Sequence, residues 1–157
     1  HVEYNYELQE SLNLKNLEPK SIIELNSSEK EFECYDYDLK ENILRKILTA
    51  SSKEQIPIQI HAIGKGAIQY HKDIIKKIID FGPWINIIDK TFNLHAMENH
   101  LKHVILKKHE KNNDSFYYLD FFDMRNNYVL GICSLENFNK DFNDMVDKIN
   151  RTANLRI

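Results

Sequence analysis

Residues 56–133 restrict the fold most, because short runs of alternating apolar and polar residues follow one another there, separated only by brief turns. Ile56, Ile58 and Ile60 alternate with Pro57, Gln59 and His61, the period of a half-buried strand. Pro57 has no backbone N–H to give a ladder, so it marks a strand start or an edge. Gly64-Lys65-Gly66 reads as a hairpin turn, since glycine reaches positive φ without a Cβ clash. Ile68 and Tyr70 then alternate with Gln69 and His71 on the return strand. Residues 72–80 fit either period and are read as strand. Trp84–Ile88 predicts a strand, Asp89–Thr91 a turn, Phe92–His95 a short further element and Met97–Lys102 a helical turn. Val104–Lys107 predicts a strand and Lys111–Asp114 a polar turn. Phe116–Phe122 and Tyr128–Cys133 form the arms of a hairpin joined through Asp123–Asn127. Parallel neighbours need crossovers of about a dozen residues or more, so strands this close must pair antiparallel.

Helical periods flank this region. Leu8, Leu12 and Leu14 hint at one helix, and Pro19 stands near the first turn of another that carries Ile22, Ile23 and Leu25. Phe32, Cys34 and Tyr37 suit a short extended piece. Asp38 is placed to cap a helix whose Leu39, Ile43, Leu44, Ile47 and Leu48 share one face. Phe138, Phe142, Met145, Val146 and Ile149 repeat at helical spacing near the end. The expected class is α+β: N-terminal helices and a C-terminal helix packed on one large antiparallel meander of six or more strands, all within a single domain, 1–157.

Composition narrows function mostly by exclusion. The 157 residues carry a net charge of −3, which gives no general pull toward nucleic acid or an anionic membrane. There is no apolar run of membrane-spanning length and no signal-peptide pattern. The first residue is His1 rather than Met, so the chain reads as processed, tagged or excerpted. Cys34 and Cys133 form no CxxC pair and are expected as two free thiols in a reducing cytoplasm, with a single disulfide as the alternative.

Six of the seven histidines are His61, His71, His95, His100, His103 and His109. Imidazole is a common metal and haem-iron ligand, but the spacings match no metal cage. His61 and His71 fall on the polar positions of neighbouring strands and are expected to face solvent. His95, in an apolar segment, is expected to be a hydrogen-bonded structural side chain. Lys107-Lys108-His109 ends the predicted strand and would set three basic groups at one rim, suited to a carboxylate or phosphate; a solvated strand end is the plainer reading. The aromatic run FYYLDFF at 116–122 is a core strand or a flat aromatic-ligand surface. No GxSxG, Walker-type loop, GxGxxG or paired catalytic carboxylate is present, which favours a binding module over a self-contained enzyme.

IPIQIHAIGKGAIQYH (56–71) followed by GPWINIIDKTFNLH (82–95) resembles the signature of the HemS/ChuS-type haemin-utilisation proteins. VILKK (104–108) and YLDFFDMRNNYVLGI (118–132) continue the resemblance, which spans roughly residues 40–150. Within the middle motif, Trp84 is expected to anchor its strand in the core, Asp89 to open a tight turn, and Phe92 and Leu94 to return to the core. The resemblance implies a HemS-like fold in a cytoplasmic haem carrier of iron acquisition, some members of which break haem down with an external reductant. One repeat, as in the ChuX/HutX-type relatives, implies a homodimer unless a second repeat precedes residue 1. It also implies site residues. Lys107 and Lys108 would meet a haem propionate, with His109 beside them. His61, His71 or Tyr6 would approach the iron, because the helix that carries the family's axial histidine here offers Tyr4 or Tyr6. Where the family places Gln, an aromatic residue and Arg near haem, this chain has Gly131, Cys133 and Glu136. Those departures motivate an alternative: a diverged HemS-like fold without haem that works as an interaction or scaffold module.

Overall fold

The computed structural model describes residues 30–36, 42–64, 67–111 and 113–152. The helices expected around Leu8 and after Pro19, and the Asp38 cap, lie outside them. Among the described residues the order is β1 (Lys30–Asp36), α1 (Ile43–Glu54), β2 (Ile58–Gly64), β3 (Ala67–Asp73), β4 (Ile78–Phe81), β5 (Trp84–Ile88), β6 (Asn93–Met97), a 3-10 turn (Glu98–His100), β7 (Leu101–Lys111), β8 (Asp114–Asp123), β9 (Tyr128–Ser134), a 3-10 turn (Glu136–Phe138) and α2 (Asn139–Thr152). The class is α+β and every strand pair is antiparallel. No helix among the described residues is long and apolar enough to cross a membrane.

The strands divide between two sheets instead of forming one. Six run in the order β1-β7-β8-β9-β2-β3, and β4-β5-β6 make a separate meander. The division falls inside residues 72–80, which are not one strand. β3 stops at Asp73, whose Oδ1 accepts from Ile74 N at 2.7 Å, and Ile75 in the connecting segment is fully buried. That buried isoleucine ties the connection to the core and turns the chain toward the second sheet.

One face of the six-stranded sheet is apolar. Ile58, Ile60, Leu106, Val104, Leu119, Phe121, Leu130 and Ile132 are buried there with the helices. α2 lies over β8 and β9 and against α1. Its Phe142, Met145, Val146 and Ile149 are buried, each contributing about 1.5–3 kcal/mol of burial, whereas Phe138 precedes the helix and is exposed. α1 begins at Ile43 behind Asn42, which takes a left-handed conformation at φ 46. Its Leu44, Ile47 and Leu48 face the core as expected. Arg45, on its flank, donates to Glu98 through Nε at 3.0 Å and pairs with Asp80, fastening the helix to both ends of the smaller sheet.

The smaller sheet corrects one expectation. Trp84 is half-buried at the mouth of the β4–β5 hairpin, opposite Phe81, which is 78% exposed. Ile85 and Ile87 anchor the strand, and Phe92 and Leu94 are buried as expected. The Asp89 turn closes as expected too: its Oδ1 accepts from Lys90 N at 2.6 Å and its N–H donates to Phe92 O. His95, though exposed, is tied by Nδ1 to Asn86 Oδ1 at 2.5 Å.

Candidate functional site

Residues directly opposite in an antiparallel ladder share a face, so the register assigns each candidate to a side of the sheet. His61 lies opposite Tyr70 and Gly131, Gly131 opposite Asp120, Cys133 opposite Tyr118, and Tyr118 opposite Lys107. The register shift between Phe121 and Phe122 pairs Tyr128 with Phe122, bringing the tyrosine onto this same side. His61, Gly131, Cys133, Tyr118, Asp120, Phe122, Tyr128, His103 and Lys107 therefore form one layer, turned away from the helices.

That layer is polar and yet buried. Lys107 is 2% exposed and Asp120 fully buried, and Lys107 Nζ stands 3.1 Å from Asp120 Oδ2. Each stands where it can serve as the other's counter-ion in a poorly solvated place. His61 is buried against Tyr70, with ring centroids 5.4 Å apart. Burial pushes its pKa down to about 4, so the imidazole is neutral at pH 7. Its Nδ1 has no hydrogen-bond partner among the described residues, and neither has the Tyr128 hydroxyl. Burial, then the charge of Asp120, raises the Tyr128 hydroxyl well above its ordinary value. The same causes push the free Cys133 thiol up to about 12, so it is no nucleophile. Phe122 stacks on His103 at 5.0 Å and meets Tyr128 edge-on at 5.9 Å. The layer thus combines a cation, a carboxylate, a neutral imidazole and aromatic rings.

Two of the other candidates fall on the helix side. His71 is opposite Ile60, on the helix side, and stacks on Phe92 at 4.7 Å. Burial lowers its pKa while Asp89 and Asp73 oppose the shift. Lys108 is opposite Tyr117, also on the helix side, and reaches Glu110 at 3.6 Å. Burial and a hydrogen bond to Asp147 of α2 push Tyr117 up to about 12. His109, two residues beyond Lys107 on β7 and opposite Phe116, has the register position of the Lys107 side, and Tyr6 lies outside the described residues.

Three expectations are corrected here. His61 and His71 do not face solvent: both are 5% exposed. Nor do they share a face, since odd and even offsets separate them. Lys107, Lys108 and His109 do not end a strand, as β7 runs on to Lys111, and Lys107 and Lys108 point to opposite sides. Of the expected site residues, His61 and Lys107 are brought onto one face, separated by three interstrand spacings, or roughly 14 Å, and His109 has a register position on that same side. The sequence reading missed Asp120 and Tyr128. A lone carboxylate inside the apolar run FYYLDFF, beside a lysine-bearing strand, was the available signal for the first; nothing marked the second, because the register shift moves it.

Comparisons with known proteins agree on the family. A profile described as the haemin-degrading HemS.ChuX domain matches residues 32–148. The hemin transport protein HmuS of Yersinia pestis is 29% identical over 62 residues, which cover 40% of this chain and 18% of HmuS. Apo-PhuS, a heme-binding protein from Pseudomonas aeruginosa, superposes with a TM-score of 0.64 at 16% identity, covering 73% of this chain and 34% of PhuS. ChuX superposes with a TM-score of 0.61 at 10% identity, covering 95% of this chain and 99% of ChuX. At those identities the superpositions show the fold. The chain spans about a third of PhuS and less of HmuS.

Proposed function

The chain belongs to the haemin-degrading HemS.ChuX domain family, and on that premise we propose that it binds haem as a cytoplasmic carrier in iron acquisition, on the sheet face turned away from the helices. The observation that carries this reading is the buried polar layer on that face. A layer of ionised and unpartnered polar groups is an expensive way to finish a core, and functional sites are where such groups collect. The residues fit the ligand. Lys107 offers an ammonium to a propionate, the neutral imidazole of His61 is in the protonation state that iron requires, and Tyr118, Phe122 and Tyr128 offer ring faces. Lys108 and His71 occupy the helix side and do not serve a ligand bound on this face. The one repeat in this chain favours a homodimer, which sedimentation velocity on this chain would read as twice its 18.7 kDa.

Haemin titration followed by the visible spectrum, with apo-myoglobin as competitor, tests the reading. A saturable Soret shift is expected, weakened in Lys107→Met and altered in band position in His61→Ala. Loss of the spectrum on adding a reductant would extend the reading to haem breakdown, with the ligand supplying the redox chemistry.

A second reading has its own observation. Lys107 is already neutralised by Asp120, and Gly131 and Cys133 stand where the resemblance places a glutamine and an aromatic residue. A HemS-like fold that no longer binds haem and acts as an interaction module would look like this. An unsaturable, nonspecific Soret shift selects it.

A further inference from the structure

We propose that the outer face of the smaller sheet carries a soft-metal site, in which His95 and Met97 bind Cu(I) beside the ring of Trp84. The site is on a different sheet from the haem-binding face and does not depend on that reading.

Register and alternation sort the residues of the meander into two faces. Ile85, Ile87, Leu94 and Ala96 are buried on the core side. The alternate positions make the outer face. Phe81, Trp84 and Met97 form one row across its three strands, and Ile79, Asn86 and His95 form the next. Phe81 and His95 are exposed, and Trp84 and Met97 are half-buried.

His95 is oriented as a ligand. Asn86 donates through Nδ2 to Ile79 O at 3.0 Å, so its Oδ1 is the atom that meets His95 Nδ1 at 2.5 Å. An amide oxygen only accepts, so Nδ1 carries the ring's hydrogen. The neutral ring then presents its lone pair at Nε2, and the bond to Asn86 holds it there. Metal-binding imidazoles are held in this way, with the second nitrogen donating to a protein acceptor.

The neighbours select the metal. Met97 follows His95 by two residues on the same face, roughly 6–7 Å along the strand, a span across which an imidazole and a thioether can converge on one ion. Trp84 is directly opposite Met97, and an indole face attracts a cation. Thioether and imidazole together suit Cu(I), which is satisfied by few ligands, whereas Zn(II) asks for a full tetrahedral set and Mg(II) or Ca(II) for oxygens. The described residues of this face include no carboxylate. Asp80 and Glu98, at the same end of the sheet, pair with Arg45 instead.

Anaerobic titration of the whole chain with Cu(I), with bicinchoninate as competitor, tests this. Trp84 is the only tryptophan in the chain, so intrinsic tryptophan fluorescence reports on this site alone. Saturation at about one Cu(I) per chain is expected, with quenching of that fluorescence and no displacement by equimolar Zn(II). Losing an orienting partner costs about 10–100-fold in metal affinity, so Asn86→Ala should weaken binding by that much, and His95→Gln and Met97→Leu by no less than about tenfold. Should Asn86→Ala fail to fold, His95→Gln, at an exposed position, and the size-conserving Met97→Leu decide. Cu(I) binding that leaves the fluorescence unchanged, or that is as tight in either of those two variants as in the wild type, overturns the joint site and assigns the metal to other groups, such as the thiols. Equal affinity for Zn(II), or no saturable Cu(I) binding, overturns it as well.

Discussion

Lys107 shows how a residue's neighbours can reverse what its type suggests. In the sequence it is the first of three basic residues and looks like part of a solvated rim; in the fold it is one of the most buried side chains. The misreading came from the strand end, since β7 continues past Lys107 where polar residues had suggested it would stop. Replacing it with methionine leaves Asp120 buried without this counter-ion, and breaking a buried pair from one side costs roughly 3–5 kcal/mol. Urea denaturation should show that loss for Lys107→Met and recovery of most of it in Lys107→Met/Asp120→Leu, because two apolar groups need no pairing. A double variant as unstable as the single one would mean that Asp120 is held by other groups. His61 allows a second residue-scale prediction. Its pKa is about 4 folded against 6.5 in the unfolded chain, so between those values the unfolded state binds the extra proton. Its contribution is fully present above pH 6.5 and is lost as pH falls toward 4, by up to about 3 kcal/mol. The wild type should therefore lose stability between pH 6.5 and 4 faster than His61→Gln, as urea midpoints at several pH values will show. Parallel pH curves for the two proteins would exclude the imidazole as the cause.

At the scale of elements, local signals were legible where the chain itself closes the contact. The hairpin through residues 123–127 was marked by Asp123, whose Oδ1 accepts from Arg125 N at 2.8 Å and Asn127 N at 2.9 Å. These bonds, with Asn127 foremost, lower its pKa. The helical stripe of α2 was equally plain from Phe142 to Ile149, because a 3.6-residue period has one interpretation at that length. What sequence could not supply was partnership at a distance. β1 pairs with β7, whose residues follow it by more than sixty positions, and β2 pairs with β9 across a similar gap. Without those pairings the six strands cannot be separated from the three, and no residue of 72–80 announces the break. Gly82 adopts φ +58 between Phe81 and Pro83, and a Cβ there would meet nothing within 4 Å. Gly82→Ala thus meets no steric clash and suffers only the backbone penalty of a left-handed residue, about 1–2 kcal/mol. Thermal or urea unfolding measures it. A neutral result would show that the hairpin can change turn type at no cost.

The whole molecule sets its polar layer on the side of the sheet opposite the helices, and that arrangement has a kinetic consequence. The helix side is filled by the apolar core, so a flat ligand finds room there only by unpacking α2. The opposite side is closed as well: Lys107, Asp120, His61 and Tyr128 are each no more than 5% exposed. The groups buried there are polar, so exposing them gives up less apolar burial than unpacking the helix side would. Haemin capture should therefore proceed through opening of this face, with the open form a minor population in the free protein. Under such gating the observed rate of the Soret change rises with haemin concentration and then levels off at the opening rate, well below the encounter limit. Stopped-flow mixing over a wide haemin range should show that plateau. Lys107→Met/Asp120→Leu, which replaces the ion pair with apolar contacts, should lower it, because opening then exposes apolar surface to water. A rate that stays linear in haemin up to the fastest measurable value would place the entry site on an exposed surface, away from Lys107 and His61.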